Sequence, residues 1–470
     1  MELIINGDFL DFLAEEPFAS FTGLSKVAVK KFWQIVESCD RDSPPGERVF
    51  EQLSKFVTAG HRLTILLGNH DIELALPAVR SELLKLLTGG QPALVEFLFD
   101  GEACCRGRAL IEHGNRYDGW NSVAHGGLRA YRARASRGEP EYPFAPPAGS
   151  TLVTEVMNPL KRIYRFIDLL KPENEALIPI LAVLHPEALR KIREIWSAVR
   201  ARTDAKPGVV PDEETYVADT GDNGVVPDEL TQVSNAEHPS VSPSFHRRAL
   251  AGHEMDDETV RRTEGALAVS EEIVGNLVTG DQHPEDQEVV PDNLTQVGDG
   301  FFAWIRSGWN LLRATLSNGD DGLVCLRSAL VAHRNTIGTT FDLDSDDGPY
   351  VAAARRLIGD DIQFVVFGHT HLPKTIPIDA GGRYINTGTW CPTIQLDERI
   401  YQPGPNDDAT IGLLRRFVQD MGENRLSEWT TLRTHFAHVA VQTDGGTNVN
   451  LYEYHEDDSV SPTVVDRHDP

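Results

Sequence analysis

Four short apolar runs, each breaking off into a loop of Asp, Asn or His, constrain this chain more than any other feature. Leu3-Ile4-Ile5 leads into Gly7-Asp8-Phe9-Leu10-Asp11, and residues 63–67 lead into Gly68-Asn69-His70-Asp71. Ala109-Leu110-Ile111 leads into Glu112-His113-Gly114-Asn115, and Phe364-Val365-Val366-Phe367 into Gly368-His369-Thr370-His371. Short apolar runs bounded by turn residues read as buried strands. Polar side chains just beyond the carboxyl ends of strands are where open α/β sheets place their chemistry. The residue types fit that placement: amide, carboxylate and imidazole groups ligate divalent cations, and imidazole also titrates near neutrality.

The intervening segments predict helices. Residues 24–37 carry Val27, Phe32, Ile35 and Val36 at helical spacing, residues 41–46 form a turn cluster, and residues 49–59 form a second helix. Strand, helices, strand is the order of a wound α/β layer. Residues 74–87 read as a helix ended by Gly89-Gly90, and residues 95–99 and 109–111 as strands delivering His113. Later, residues 351–358 read as a helix and residues 383–386, 436–442 and 448–454 as strands. The last two are joined through Asp444-Gly445-Gly446 as a hairpin and would build a second sheet.

From residue 119 the character shifts. Arg129, Arg132, Arg134 and Arg137 crowd together, and Lys161, Arg162 and Arg165 follow on a helix. In an acidic chain this local basic excess suits an anionic substrate or lipid headgroups, or else a solvated face paired with nearby acids. Residues 152–170, 173–184 and 186–202 predict three helices that roof a site, pack as a module or form a dimer interface. Across residues 203–299, Val209-Val210-Pro211-Asp212, Val225-Val226-Pro227-Asp228 and Val289-Val290-Pro291-Asp292 are near copies in a linker rich in Asp, Glu, Pro, Gly and Ser. Residues 301–316 read as a return helix, and residues 342–348 as an acidic turn resembling a calcium loop without its closing Glu.

With 44 Lys and Arg against 71 Asp and Glu, the formal charge of −27 argues against a nucleic-acid footprint. The five cysteines have no metal-ligand spacing, and two are adjacent, which suits a reducing, cytoplasmic setting. No signal peptide opens the chain, and its longest apolar stretch is far short of the ~20 residues a membrane span needs.

In order and residue type, the four loops resemble motifs of the calcineurin-like metallophosphoesterase superfamily. Those motifs run Asp-x-His, Gly-Asp-x-x-Asp, Gly-Asn-His-Asp/Glu, His-Gly and Gly-His-x-His, and all but the first stand here in order. The resemblance covers residues 1–118 and 330–454. It implies a metallophosphoesterase-type four-layer α/β/β/α sandwich, its core split into residues 1–118 and 330–455 by an insertion at 119–329, with an acidic, frayed tail at 456–470.

The resemblance further implies two divalent metal ions, manganese first and iron or zinc next. Asp8 would bridge both, Asn69, His113 and His369 would complete one site, and His371 would contribute to the other. His70 would be the general acid, oriented by Asp11, and Asp71 a loop-stabilising carboxylate. Arg116, Tyr117, Asp118 and Asn121 would line a substrate pocket or sit on its rim. The expected activity is hydrolysis of a small phosphate ester or pyrophosphate by a metal-bridging hydroxide. Peripheral membrane contact through the basic helices is the further partner expectation.

Without Asp-x-His ahead of Asp8, the second metal site keeps only Asp8 and His371 and would be weak. One expectation is that Met1 is an internal start, with the missing strand upstream. The alternatives are substitution by Asp281-x-His283 or Asp466-x-His468, and a degenerate member serving as a binding or scaffold module.

Overall fold

The computed structural model describes residues 1–161, 166–170, 323–331 and 349–463, with short gaps inside these stretches. The expected helices at 173–202, the acidic linker with its near copies, the return helix at 301–316 and the acidic turn at 342–348 lie outside the described residues. What is described is a mixed α/β structure with several sheets. No described helix is long and apolar enough to cross a membrane.

The first sheet is parallel, in the order β1 (Glu2–Asn6), β2 (Arg62–Leu66), β3 (Val95–Leu98). Alternation along each strand decides what covers it. Leu63 and Ile65 share a core with Phe32, Ile35, Leu53, Val79 and Leu83 of helices α1 (Ser25–Arg41), α2 (Val49–Thr58) and α3 (Pro77–Thr88). Leu66 points the other way and, with Ile4 and Leu98, packs against a second sheet.

That second sheet has the order β4-β5-β6-β8-β7, formed by β4 (Cys104–Arg106), β5 (Ala109–Ile111), β6 (Phe364–Phe367), β7 (Pro373–Ile378) and β8 (Gly382–Thr387). Its central β5, β6 and β8 are parallel, and the edge strands are antiparallel. Ala109, Ile111, Phe364, Val366 and Ile385 face Leu66 of the first sheet, whereas Leu110, Val365 and Phe367 face Val351, Ala354 and Leu357 of α7 (Pro349–Leu357). Arg106 on β4 grips Glu2 on β1 with a two-pronged ion pair, Nε to Oε2 at 2.6 Å and Nη2 to Oε1 at 2.5 Å, which ties one sheet to the other.

After a short antiparallel pair, β9 (Thr393–Ile394) and β10 (Thr430–Thr431), the expected hairpin is present as β11 (Thr434–Val441) and β12 (Thr447–Tyr454), and Val449 and Leu451 join the core between the two sheets. The tail expected to be frayed instead supplies β13 (Val460–Pro462), which pairs with β12.

Local chemistry redraws two expected helices. The helix expected at 74–87 is split, because Leu76 before Pro77 is extended, as a residue preceding proline prefers. A 3-10 turn, Ile72–Ala75, precedes the break, and α3 starts with Pro77 in its first turn and ends at left-handed Gly89. In its described part the helix expected at 152–170 runs as α5 (Ala148–Leu152), a π turn (Val153–Met157) and α6 (Asn158–Lys161). Pro159 lacks the N–H that a continuous helix would use, and a widened turn before it accommodates the loss.

These residues also shift an expected boundary. Val156, Met157, Leu160 and Leu170 pack against Ile400 of α8 (Glu398–Tyr401) and Leu414, Phe417 and Met421 of α9 (Asp408–Gly422). Residues 394–421, expected in the second part of the sheet core, therefore build one helical core with the start of the insertion.

Candidate metal centre

Each ligand candidate sits just past a parallel strand's carboxyl end. Asp8 follows β1, Asn69 follows β2, His113 follows β5 and His369 follows β6. The register Ile111↔Val366 sets the His113 and His369 loops side by side, and their rings meet edge to face at 5.2 Å. Ligand atoms of Asp8, His113 and His369 all lie within 4.8 Å of one another. Asn69, only 1% exposed, stands in the loop beside them, while His371 lies two residues past His369 and is not part of that triad.

The backbone there is strained. Among the described residues, the only non-glycine positions with positive φ are Asp8 (50°), His369 (61°) and His371 (60°). Residues held in this sparsely populated region cluster where function demands a set geometry. Gly68 is required by closeness rather than conformation, since a Cβ there would lie 2.1 Å from Asp8 Oδ1 and 2.4 Å from its backbone nitrogen.

The first two loops are cross-stitched. Asp8 Oδ1 accepts the His70 N–H at 2.8 Å, Asp71 Oδ2 accepts the Phe9 N–H at 2.8 Å, and the His70 carbonyl accepts the Phe12 N–H at 3.1 Å. Asp71 also takes the Gly68 N–H at 2.7 Å, so it does brace the loop. Burial, with Asp8 nearby, pushes the Asp71 carboxyl up to about 7. Burial alone would raise Asp8 too, but His113 and His70 hold it well below the usual carboxylate range.

His113 donates from Nδ1 to the Asn6 carbonyl at 2.7 Å, because a carbonyl oxygen can only accept. In the neutral ring Nε2 then carries the lone pair, and it lies 3.0 Å from Asp8 Oδ2. Two acceptors at that distance ask for a proton or a cation between them, and the Asp8 charge does raise the pKa of the buried His113. Asn69 Oδ1 is likewise buried with no hydrogen-bond partner among the described residues. Ligands at about 2.1 Å on neighbouring corners of an octahedral ion lie about 3.0 Å apart, so this donor set fits a divalent cation.

Asp11 lies 3.2 Å from His70 Nδ1 and also caps a 3-10 turn (Phe12–Ala14), accepting the Leu13 and Ala14 N–H groups. Burial opposes ionisation of Asp11, but the neighbouring imidazole outweighs it and holds the carboxyl low. Behind the turn, Asn158 of α6 donates to the Leu13 carbonyl at 2.7 Å, which anchors the insertion next to this pair. The clustered arginines fall in and just after α4 (His125–Ser136), where Arg132 pairs with Asp100 at 3.0 Å and Arg137 with Glu139 at 2.5 Å.

Asp118, expected from the sequence only to line a substrate pocket or its rim, faces a ligand candidate, and Asn386, with no expected site role, supports the same loop. Asp118 Oδ2 lies 3.0 Å from His369 Nε2. Asn386, fully buried on β8, donates to the Gly368 carbonyl at 2.7 Å and accepts the Gly388 N–H at 2.9 Å, fixing the His369 loop from behind. The spacing of Asp118, five residues past the candidate ligand His113, was the only available hint.

No protein-family model matches the chain, and no curated protein or solved structure matches it.

Proposed function

We propose that the chain is a metal-dependent phosphoesterase of the calcineurin-like type, hydrolysing a phosphate ester or pyrophosphate of a small molecule. Its scaffold in this reading is a four-layer sandwich of α1–α3, the first sheet, the second sheet and α7. The observation that carries the proposal is the gathering of Asp8, His113 and His369 ligand atoms within 4.8 Å of one another, with Asp8 Oδ2 3.0 Å from His113 Nε2 and Asn69 Oδ1 buried without a hydrogen-bond partner among the described residues.

Asp8, Asn69, His113 and His369 would hold one divalent ion, manganese by preference, and Asp8 with His371 would reach towards a second. Bound there, divalent ions supply a nucleophilic hydroxide near neutral pH and neutralise charge on the phosphoryl oxygens. His70 would hold the proton for the leaving oxygen, and Asp11, at Nδ1, sets the ring's orientation. Asp71 holds the two loops in register while that proton moves.

The test is hydrolysis of bis(4-nitrophenyl) phosphate by the full chain with added Mn2+, alongside metal analysis. Turnover is expected to vanish on chelation, and His113→Ala to lose bound metal. His70→Ala should keep its metal while kcat falls about 10²–10⁴-fold. No turnover with manganese, iron or zinc, or turnover indifferent to His70→Ala, would leave a binding module as the better reading.

A further inference from the structure

Asp118 sits outside the Asp8, His113 and His369 triad, yet two candidate ligands from different strands depend on it. A carboxylate has no hydrogen to give, and that one fact orders the groups around it. Its Oδ1 accepts the Trp120 N–H at 2.9 Å, and its Oδ2 accepts Asn121 Nδ2–H at 2.7 Å while facing His369 Nε2 at 3.0 Å. His369 must therefore carry a hydrogen on Nε2, which in the neutral ring leaves Nδ1 with the lone pair. Asn121, having turned its NH₂ group to Asp118, has only Oδ1 left for Asn69, whose Nδ2 lies 3.3 Å away. Asn69 must then donate to Asn121, and its Oδ1 is the atom left over, buried and unpartnered.

We propose that Asp118 is the positioning residue of the metal centre, fixing the tautomer of His369 directly and the amide direction of Asn69 through Asn121. This rests on the metal-centre reading above. Without the carboxylate, His369 is free to place its hydrogen on either nitrogen and the Asn121 and Asn69 amides are free to turn over, and each wrong choice aims an N–H at the cation. The relay is held in place from both sides. Asn115 Nδ2 donates to the Asn121 carbonyl at 2.9 Å, and Gly149 donates its N–H to the Trp120 carbonyl at 2.7 Å.

The experiment titrates Mn2+ and Co2+ into the full chain, comparing wild type with Asp118→Asn, Asn121→Ala and the double variant. Asp118→Asn keeps the side-chain shape but offers an NH₂ group as readily as an oxygen. We expect its Mn2+ dissociation constant to rise about 10–100-fold, with a shifted Co2+ visible spectrum and an unchanged metal-free melting temperature. Asn121→Ala should lose less, because only Asn69 is released. Adding it to Asp118→Asn should cost little more, since a relay is non-additive where independent structural losses would sum. Asp118→Asn binding Mn2+ within about twofold of wild type, with the same Co2+ spectrum, overturns the proposal. Should Asp118→Asn not fold, Asn121→Ala decides by the same criterion. A wild-type chain that binds neither ion instead removes the metal-centre reading underneath.

Discussion

Replacing Gly7 by alanine isolates what close packing contributes at the site. Gly7 has φ +79°, and a Cβ there would lie 2.4 Å from His113 Nδ1, 2.6 Å from its Cγ and 2.9 Å from its Cβ. These atoms are at the root of a ring already held by its hydrogen bond to the Asn6 carbonyl, so the imidazole cannot swing aside cheaply. Left-handed backbone costs an alanine about 1–2 kcal/mol. Forcing an extra carbon into a packed site adds about 1–3 kcal/mol, for about 2–5 kcal/mol in all. Gly60 is the matched control, with φ +85° and nothing within 4 Å of its added Cβ. Gly60→Ala should therefore cost only the backbone part, and the gap between the variants, about 1–3 kcal/mol, measures the collision. Urea unfolding of the metal-free proteins gives both numbers, and Mn2+ titration should show weakened binding in Gly7→Ala alone. Equal destabilisation to within about 0.5 kcal/mol, with wild-type Mn2+ affinity in both, would refute the reasoning.

Further changes test other parts of the molecule. Gly149→Ala would put a Cβ 2.0 Å from Asn121 Oδ1, so Mn2+ affinity should fall by up to about tenfold although no ligand is touched, as titration would show. Asn158→Ala leaves the buried Leu13 carbonyl without its donor and should cost about 1–3 kcal/mol in urea unfolding. Burial works to raise the Glu2 carboxyl, but Arg106 and Thr64 together hold it below its ordinary value. Its contribution is thus present above the unfolded-state pKa and is lost as pH falls through the folded one. Glu2→Gln should then lower stability by about 1 kcal/mol or less at pH 7 for this part-exposed pair, with the deficit shrinking in unfolding curves as pH falls below the ordinary carboxylate range. Chelation should lower the melting temperature, and Mn2+ at about 100 times its dissociation constant should restore about 2.7 kcal/mol by calorimetry.

The strand-end loops were legible because the signal is local: an apolar run, then Asp, Asn or His. Their gathering into one place needed only the parallel register that such runs adopt. Other features were out of reach for physical reasons. The partner of Asp118 is His369, 251 residues away in sequence, and nothing near either residue announces the contact. β7 hid behind Pro373 and Pro377, which are tolerated because it is an edge strand. The split before Pro77 was readable from the rule for residues preceding proline. So was α9, with Asp407 as its N-cap and Ile411, Leu414, Val418 and Met421 at helical spacing.

The cross-stitching of the loops after β1 and β2 has a consequence for how such a centre can be altered or transplanted. Each loop supplies a side-chain acceptor for the other's backbone, Asp8 for His70 and Asp71 for Phe9, so neither has a closed set of partners alone. A one-residue deletion in either would strand donors in both. Grafting the candidate ligands onto another scaffold would have to carry the two segments as a unit, with their lengths changed only in concert.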